Sequence, residues 1–255
     1  MMKKLTALLL IALLMMTCVT AGADDLITVT LSDEGMSFAA ETGITAEGSV
    51  VTITRPGEYL VSGTLTDGRI VIDCEIEGKV TLQLNGVNIT STNGPAIHIV
   101  KCSPRAVISL VDASVNRLEN GSELVLDADE EPNGVIFSKD DLTISGQGTL
   151  TVKAGAMDGI VSKDDLCIKD GNITVTAPRH AIRGKDSVEI SGGVITVTAG
   201  KDGLRSTNKT KTDAGFISIT GGEITIRCGD DALSYETACD ISGAVITIVQ
   251  TGMDD

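Results

Sequence analysis

From about residue 134 the apolar positions fall into short runs that alternate with Thr and stop at Gly, Asn or Asp, and the runs repeat. The segment GIVSKDDLCIKDGNITVTAPRH (159–180) is followed at once by AIRGKDSVEISGGVITVTAGKD (181–202). Each is 22 residues long, opens on Gly or Ala, carries Lys-Asp at its fifth and sixth positions and ends near an Ile-Thr-Val-Thr-Ala run. A fixed period of this size is the signature of a solenoid. Units open at Gly134, Gly159, Ala181, Gly203 and Ala232, and the longer steps hold insertions, of which the polar stretch 206–215 is the clearest loop.

Within one unit the alternation predicts three strands, at 159–161, 166–168 and 173–176. Three short strands closed by turns describe one rung of a parallel β-helix, each strand pairing with its counterpart about 4.8 Å away on the next rung. Inward positions then form columns: Ile160, Ile182, Leu204 and Leu233; Leu142, Leu166 and Val188; Ile173, Ile195, Ile224 and Ile246. An all-β sandwich is the alternative, but it does not require a sequence repeat. Upstream, apolar runs at 70–72, 80–84, 96–100 and 107–111 predict less regular rungs from residue 57. Weak alternation over 24–56 predicts cap strands covering the open end of the sheet stack. The pattern breaks off at Asp255, where another Gly and another rung would follow, so 57–255 is read as the solenoid with its C-terminal rungs open to question.

The start of the chain has a different pattern. Lys3 and Lys4 precede an apolar stretch at 5–16, and Ala21-Gly22-Ala23 stands before Asp24. This is the three-part form of an export signal over residues 1–23, with a stretch too short to span a bilayer well. It predicts a secreted or cell-surface protein without a transmembrane segment in its mature chain; Cys18 keeps a lipid-anchored lipoprotein as the alternative. Five cysteines remain. They form no C-x-x-C pair, so zinc is not indicated. Cys74 with Cys102, and Cys228 with Cys239, are candidate disulfides between neighbouring rungs, and small buried thiols are the plainer reading.

Net charge is −15, and it becomes more negative without Lys3 and Lys4. Such a chain is not a nucleic-acid binder, because phosphate contacts need a basic surface. Stacking makes acids informative, since carboxylates one rung apart repel unless a positive group intervenes. One acidic column runs Asp158, His180, Asp202 and the pair Asp230-Asp231, with Asp254-Asp255 at the same place further on. Asp202, Asp230 and Asp231, with Ser234 as a further oxygen and Asp158 at the head of the column, are the candidate ligands of a calcium ion. His180 interrupts the column, and Asp before Gly is also ordinary turn chemistry. A second column, Asp140, Asp164 and Asp186, has Lys139, Lys163 and Lys185 beside it. It reads as self-neutralising turn chemistry, or as a strip contacting sugar or cation. With no Trp, two Tyr and three Phe scattered along the chain, an aromatic platform for flat glycans is excluded. Glycan contact would use hydrogen bonds, Lys and Arg, or calcium bridging to uronates.

G-E-Y-L-V-S-G-T-L (57–65), L-N-G-V-N-I-T-S-T-N-G-P-A-I (84–97), E-P-N-G-V-I-F-S-K-D-D-L-T-I (131–144), G-I-V-S-K-D-D-L (159–166) and I-R-G-K-D-S-V-E-I-S-G-G (182–193) resemble a family of exported bacterial carbohydrate-binding proteins. That family includes a cellulose- and pectin-binding protein of cellulolytic clostridia. The resemblance runs from about residue 28 to the end. It implies an all-β, right-handed parallel β-helix with an N-terminal β cap and bound calcium, related in architecture to calcium-dependent pectate lyases. Those lyases bind calcium with Asp-Gly on one rung and D-D-G-x-D on the next. Asp202-Gly203 fits the first part; Asp230-Asp231-Ala232-Leu233-Ser234 departs from the second, with Ala232 for Gly and Ser234 for the last Asp. The resemblance therefore implies a monomeric, non-catalytic binder of pectin, polygalacturonate or cellulose. The alternatives are a calcium-dependent pectate lyase, for which Lys185 and Arg205 are the candidate bases, and a purely structural surface solenoid.

Overall fold

A computed structural model describes residues 26–39, 42–121 and 131–250. The expected export signal (1–23), Cys18 and the last Asp pair lie outside the described residues. The described chain is all-β with parallel sheets and contains no helix. Among the described residues no helix is long and apolar enough to cross a membrane.

Each rung supplies one strand to each of three parallel stacks. In the 22-residue unit the strands are Asp158–Ser162, Asp165–Ile168 and Asn172–Ala177, which extends the expected ranges by a residue or two. The expected inward columns are register partners. Ile160, Ile182, Leu204 and Leu233 succeed one another in the first stack. Leu142, Leu166 and Val188 do so in the second, and Ile173, Ile195, Ile224 and Ile246 in the third. β-Branched side chains suit this arrangement, because each packs on its equivalent above and below across the pleated surface.

Two long strands explain why the early rungs look irregular. Val80–Ser91 pairs through its first half with Ala106–Leu110 of the second stack and through its second half with Val115–Asn120 of the third. Gly57–Leu65 lies under its whole length. Later rungs break this single strand in two with a turn. Val115–Asn120 has no apolar run to announce it, because two of its three inward positions are Asn116 and Asn120. Asn116 is fully buried and satisfied: its Oδ1 accepts from the backbone N–H of Gly86 and Val87, and its Nδ2 donates to Ser114 and Thr149. Among the described residues antiparallel pairing occurs only at the N-terminal end, where Ser37–Phe38 folds on Ile27–Leu31 and Ile44–Glu47 on Val50–Ile53.

The Gly or Ala that opens each unit has a packing cause. A Cβ on Gly159 would lie 2.3 Å from Val175 Cγ1 and 2.5 Å from the Ala181 carbonyl oxygen. The third stack crosses the core close behind the first at this position, and the backbone oxygen cannot yield. Gly159→Val is expected to lower stability by roughly 1–3 kcal/mol through overpacking, read as a lower denaturant midpoint with unchanged slope.

Candidate functional site

The first stack carries a charged outer face. Along its outward column the register runs Val161, Arg183, Arg205 and Ser234. Beside it, just before each strand, stand Asp158, His180, Asp202 and Asp231, tied in sequence by hydrogen bonds such as Gly159 N–H to the His180 carbonyl and Gly203 N–H to the Asp231 carbonyl. Asp158, His180 and Asp202 are almost wholly buried, at 0%, 4% and 2% exposure. Two carboxylates held out of water need compensation close by.

The arginines supply it. Arg183 Nη2 is 3.2 Å from Asp158 Oδ2 and donates to Asn133 Oδ1 at 2.9 Å. The Asp158 contact lies at ion-pair distance without hydrogen-bond geometry, so that oxygen is held by charge alone. Asp158 Oδ1 accepts the His180 backbone N–H, and Arg179 Nε stands 3.8 Å away. One rung on, Arg205 Nη1 is 3.0 Å from both Asp202 Oδ2 and His180 Nε2. His180 Nδ1 is 3.1 Å from the same Asp202 oxygen. Nδ1 also faces the Asp202 backbone N–H at 3.3 Å, so it meets a donor and an acceptor of the same residue, while Nε2 meets the Arg205 guanidinium; a neutral ring accepts from Arg205 at Nε2. Burial, followed by the nearby Arg205, Arg183 and Arg179 charges, lowers the His180 pKa from 6.5 to about 4, against the upward pull of Asp158.

Asp202, Asp230 and Asp231 converge as expected, with one carboxylate oxygen from each within 4.8 Å of the others. Asp230 and Asp231 are exposed while Asp202 is buried. Asp202 Oδ1 also accepts the Asp231 backbone N–H, which fixes the two rungs together. Ser234 sits beside Arg205 in the outward column. Asp158 is engaged with Arg183 three rungs from Asp230 and does not join the group.

The second acidic column is organised differently from the expectation. Asp186, not its flanking lysine, is the best-held member: it accepts from Asn208 Nδ2 at 2.6 Å and from Lys211 Nζ. Lys211 also stands 3.9 Å from Asp164. Both residues come from the 207–215 insertion, so this loop neutralises the column. Lys163 pairs with Glu131 instead, and the Lys185 carbonyl receives the Thr207 and Asn208 N–H groups. Asp140 accepts from the Cys102 backbone N–H, and Lys139 contributes its own N–H to the Ile99 carbonyl. Burial and the facing Asp186 raise the Asp164 pKa.

None of the five described cysteines is in a disulfide. Cys74 and Cys102 are register partners in the first stack, both buried. Cys228 and Cys239 do not face each other: Cys228 lies in the third stack opposite Ala199, Cys239 in the second opposite Ile217. Register therefore does not set Cys228 against Cys239, contrary to the expected pairing. Arg205, a candidate lyase base, has its guanidinium committed to Asp202 and His180.

Sequence reasoning missed Arg183, Arg179 and His180 as parts of one network. The signal was present as His180-Ala181-Ile182-Arg183 followed by Asp202-Gly203-Leu204-Arg205. Only stacking decides that Arg205 pairs within its own rung while Arg183 reaches Asp158 on the rung before.

A family model described as carbohydrate-binding domain-containing protein matches residues 47–255, and the chain belongs to that family. A relative from Acetivibrio thermocellus, carrying the same description, is 42% identical over 137 residues, which is 53% of this chain and 48% of the relative. The chain thus spans about half the length of that curated relative. A solved structure of the polysaccharide lyase-like protein from C. thermocellum, a gadolinium derivative, aligns with a TM-score of 0.78 at 36% identity, covering 89% of this chain and 96% of that one. The two chains share one fold.

The neutral His180 makes stability depend on pH. His98, half-buried with its ring edge-on to Phe137 at 5.7 Å, is likewise lowered to about 4, chiefly by burial. Between pH 6.5 and about 4 the unfolded chain takes up protons that these folded imidazoles refuse, so stability is full above 6.5 and falls toward pH 4. Denaturant midpoints measured across that window should decline with acid. His180→Asn, which keeps a donor and an acceptor in place, should remove part of the slope and leave the share due to His98.

Proposed function

We propose that this protein is an exported, non-catalytic carbohydrate-binding solenoid that holds acidic plant cell-wall polysaccharide, polygalacturonate before cellulose, on the outer face of its first stack. The stacking of three strands per rung supports a right-handed parallel β-helix, the architecture on which the family resemblance rests. The residue pattern over 1–23 supports secretion or display at the cell surface. The observation that carries the functional reading is the outer face itself: carboxylates of Asp202, Asp230 and Asp231 converge there beside Arg183 and Arg205, in a chain with no aromatic platform.

Calcium is the cation this donor set fits. Three carboxylates offer hard oxygens in flexible geometry, and Asp230 and Asp231 are exposed. The relative with lyase-like structure was obtained as a gadolinium derivative, and a lanthanide seeks the same hard oxygen donors. Arg205 works against the metal, because its guanidinium already neutralises Asp202. Affinity is therefore expected to be modest. The calcium-dependent lyase reading is disfavoured by that same contact, since Arg205 Nη1 is turned to Asp202 and His180 rather than toward a substrate proton.

Two measurements test this. Calcium titration by calorimetry should show binding that Asp230→Asn with Asp231→Asn abolishes and Arg205→Ala strengthens; no binding in either background would remove calcium from the account. A pull-down on insoluble pectin and on cellulose should retain the protein, and incubation with polygalacturonate plus calcium should give no unsaturated product. Accumulation of that product would replace the binder with the lyase.

A further inference from the structure

Arg183 and Arg205 are register partners on adjacent rungs, so their backbones stand about 4.8 Å apart along the solenoid axis. Both side chains are restrained rather than loose. Arg183 is fixed through Nη2 by Asn133 and Asp158, Arg205 through Nη1 by His180 and Asp202. Their side chains are 17% and 35% exposed, so neither is wholly enclosed, and none of their nitrogens is a buried atom without a partner. Among the described residues, Nε and Nη1 of Arg183 and Nε and Nη2 of Arg205 meet no acceptor. Arg179 contributes a third positive charge within reach of the same His180 ring, and Lys201 is exposed on the neighbouring turn. The buried Asp158 and Asp202 therefore orient the arginines without exhausting their donors, and three guanidiniums face two buried carboxylates around a neutral imidazole.

We propose that Arg183 and Arg205 form a metal-independent carboxylate clamp, in which successive uronate groups of an acidic polysaccharide are each held by the open edge of one guanidinium. This rests on the carbohydrate-binding reading above and deepens it, assigning recognition of the acidic group to arginine rather than to a bridging cation. The planar fork of Arg matches a carboxylate through two parallel N–H···O bonds. A guanidinium already anchored by a buried acid loses less conformational entropy on binding than a free surface lysine. The spacing of one rung is of the same order as the length of a pyranose ring, so neighbouring sugars along a chain meet neighbouring rungs. Phe137 and Val161 precede the arginines in the same outward column and are buried, so two apolar rungs separate the arginines from His98.

The test is affinity electrophoresis and calorimetry in excess EDTA, with polygalacturonate, dextran sulfate and a neutral soluble glucan as probes. The clamp predicts that the wild-type chain binds polygalacturonate without metal, more tightly than the neutral glucan. It also predicts that added salt weakens this binding. Arg205→Lys and Arg183→Lys keep the positive charge beside Asp202 and Asp158 and so preserve folding, but they lose the fork; each should weaken polygalacturonate binding roughly tenfold. Neutral-glucan binding should be unchanged. Tighter binding to dextran sulfate than to polygalacturonate, with no penalty from the lysine variants, would mean a general polyanion surface and overturn the clamp. Polygalacturonate binding that appears only when calcium is restored would also overturn it, while leaving the carbohydrate-binding reading intact. Failure to bind polygalacturonate, pectin or cellulose under any condition would overturn both.

Discussion

Parallel in-register stacking governs this molecule, because every side chain is repeated about 4.8 Å away by the residue that occupies the same place in the next rung. For apolar residues the repetition is an advantage. Ile173, Ile195, Ile224 and Ile246 cover one another in a continuous column, and the same holds in the other two stacks. For carboxylates it is a liability, since like charges at that distance in a poorly solvated site repel strongly. The chemistry of the outer face is the set of solutions to that repulsion.

Three solutions are visible along the chain. In the column of Asp158, His180 and Asp202, a neutral imidazole separates two buried acids and an arginine is brought to each. In the column of Asp140, Asp164 and Asp186, an insertion reaches back so that Asn208 and Lys211 satisfy the most buried member. At Asp230 and Asp231 the acids are left exposed to water beside Asp202. The third is the arrangement most open to an external cation, and the first leaves arginine donors facing outward. Positive and negative groups thus sit side by side on one face, as consequences of how neighbouring rungs are neutralised.

The same constraint limits where a buried polar residue can be tolerated. Asn116 occupies an inward position at 0% exposure because the register irregularity of Val80–Ser91 between Leu84 and Val87 presents the Gly86 and Val87 N–H groups to its side chain. Gly159 must stay small because the opposite stack approaches it to within contact of a Cβ. Both residues mark places where the cross-section of the coil, rather than its axial repeat, sets the residue.

By itself the sequence determined the parts of the structure that follow from period and alternation: the all-β class, the three strands per unit from residue 134, the inward columns, the 206–215 loop and the meeting of Asp202 with Asp230 and Asp231. These are legible because a repeat of 22 residues fixes which residues are equivalent, and equivalent residues in a parallel stack must be neighbours. The tertiary structure alone decided the rest. Val115–Asn120 was hidden because its inward asparagines carry no apolar signal. Lys211 displaced the flanking lysines as the partner of Asp186 because a loop can fold back across rungs that are distant from it in sequence. Arg183 and Arg205 share a motif and a column yet choose acids on different rungs, a choice made by the direction of each side chain and the burial of its partner. Period assigns residues to columns; only three-dimensional packing assigns each charge its partner.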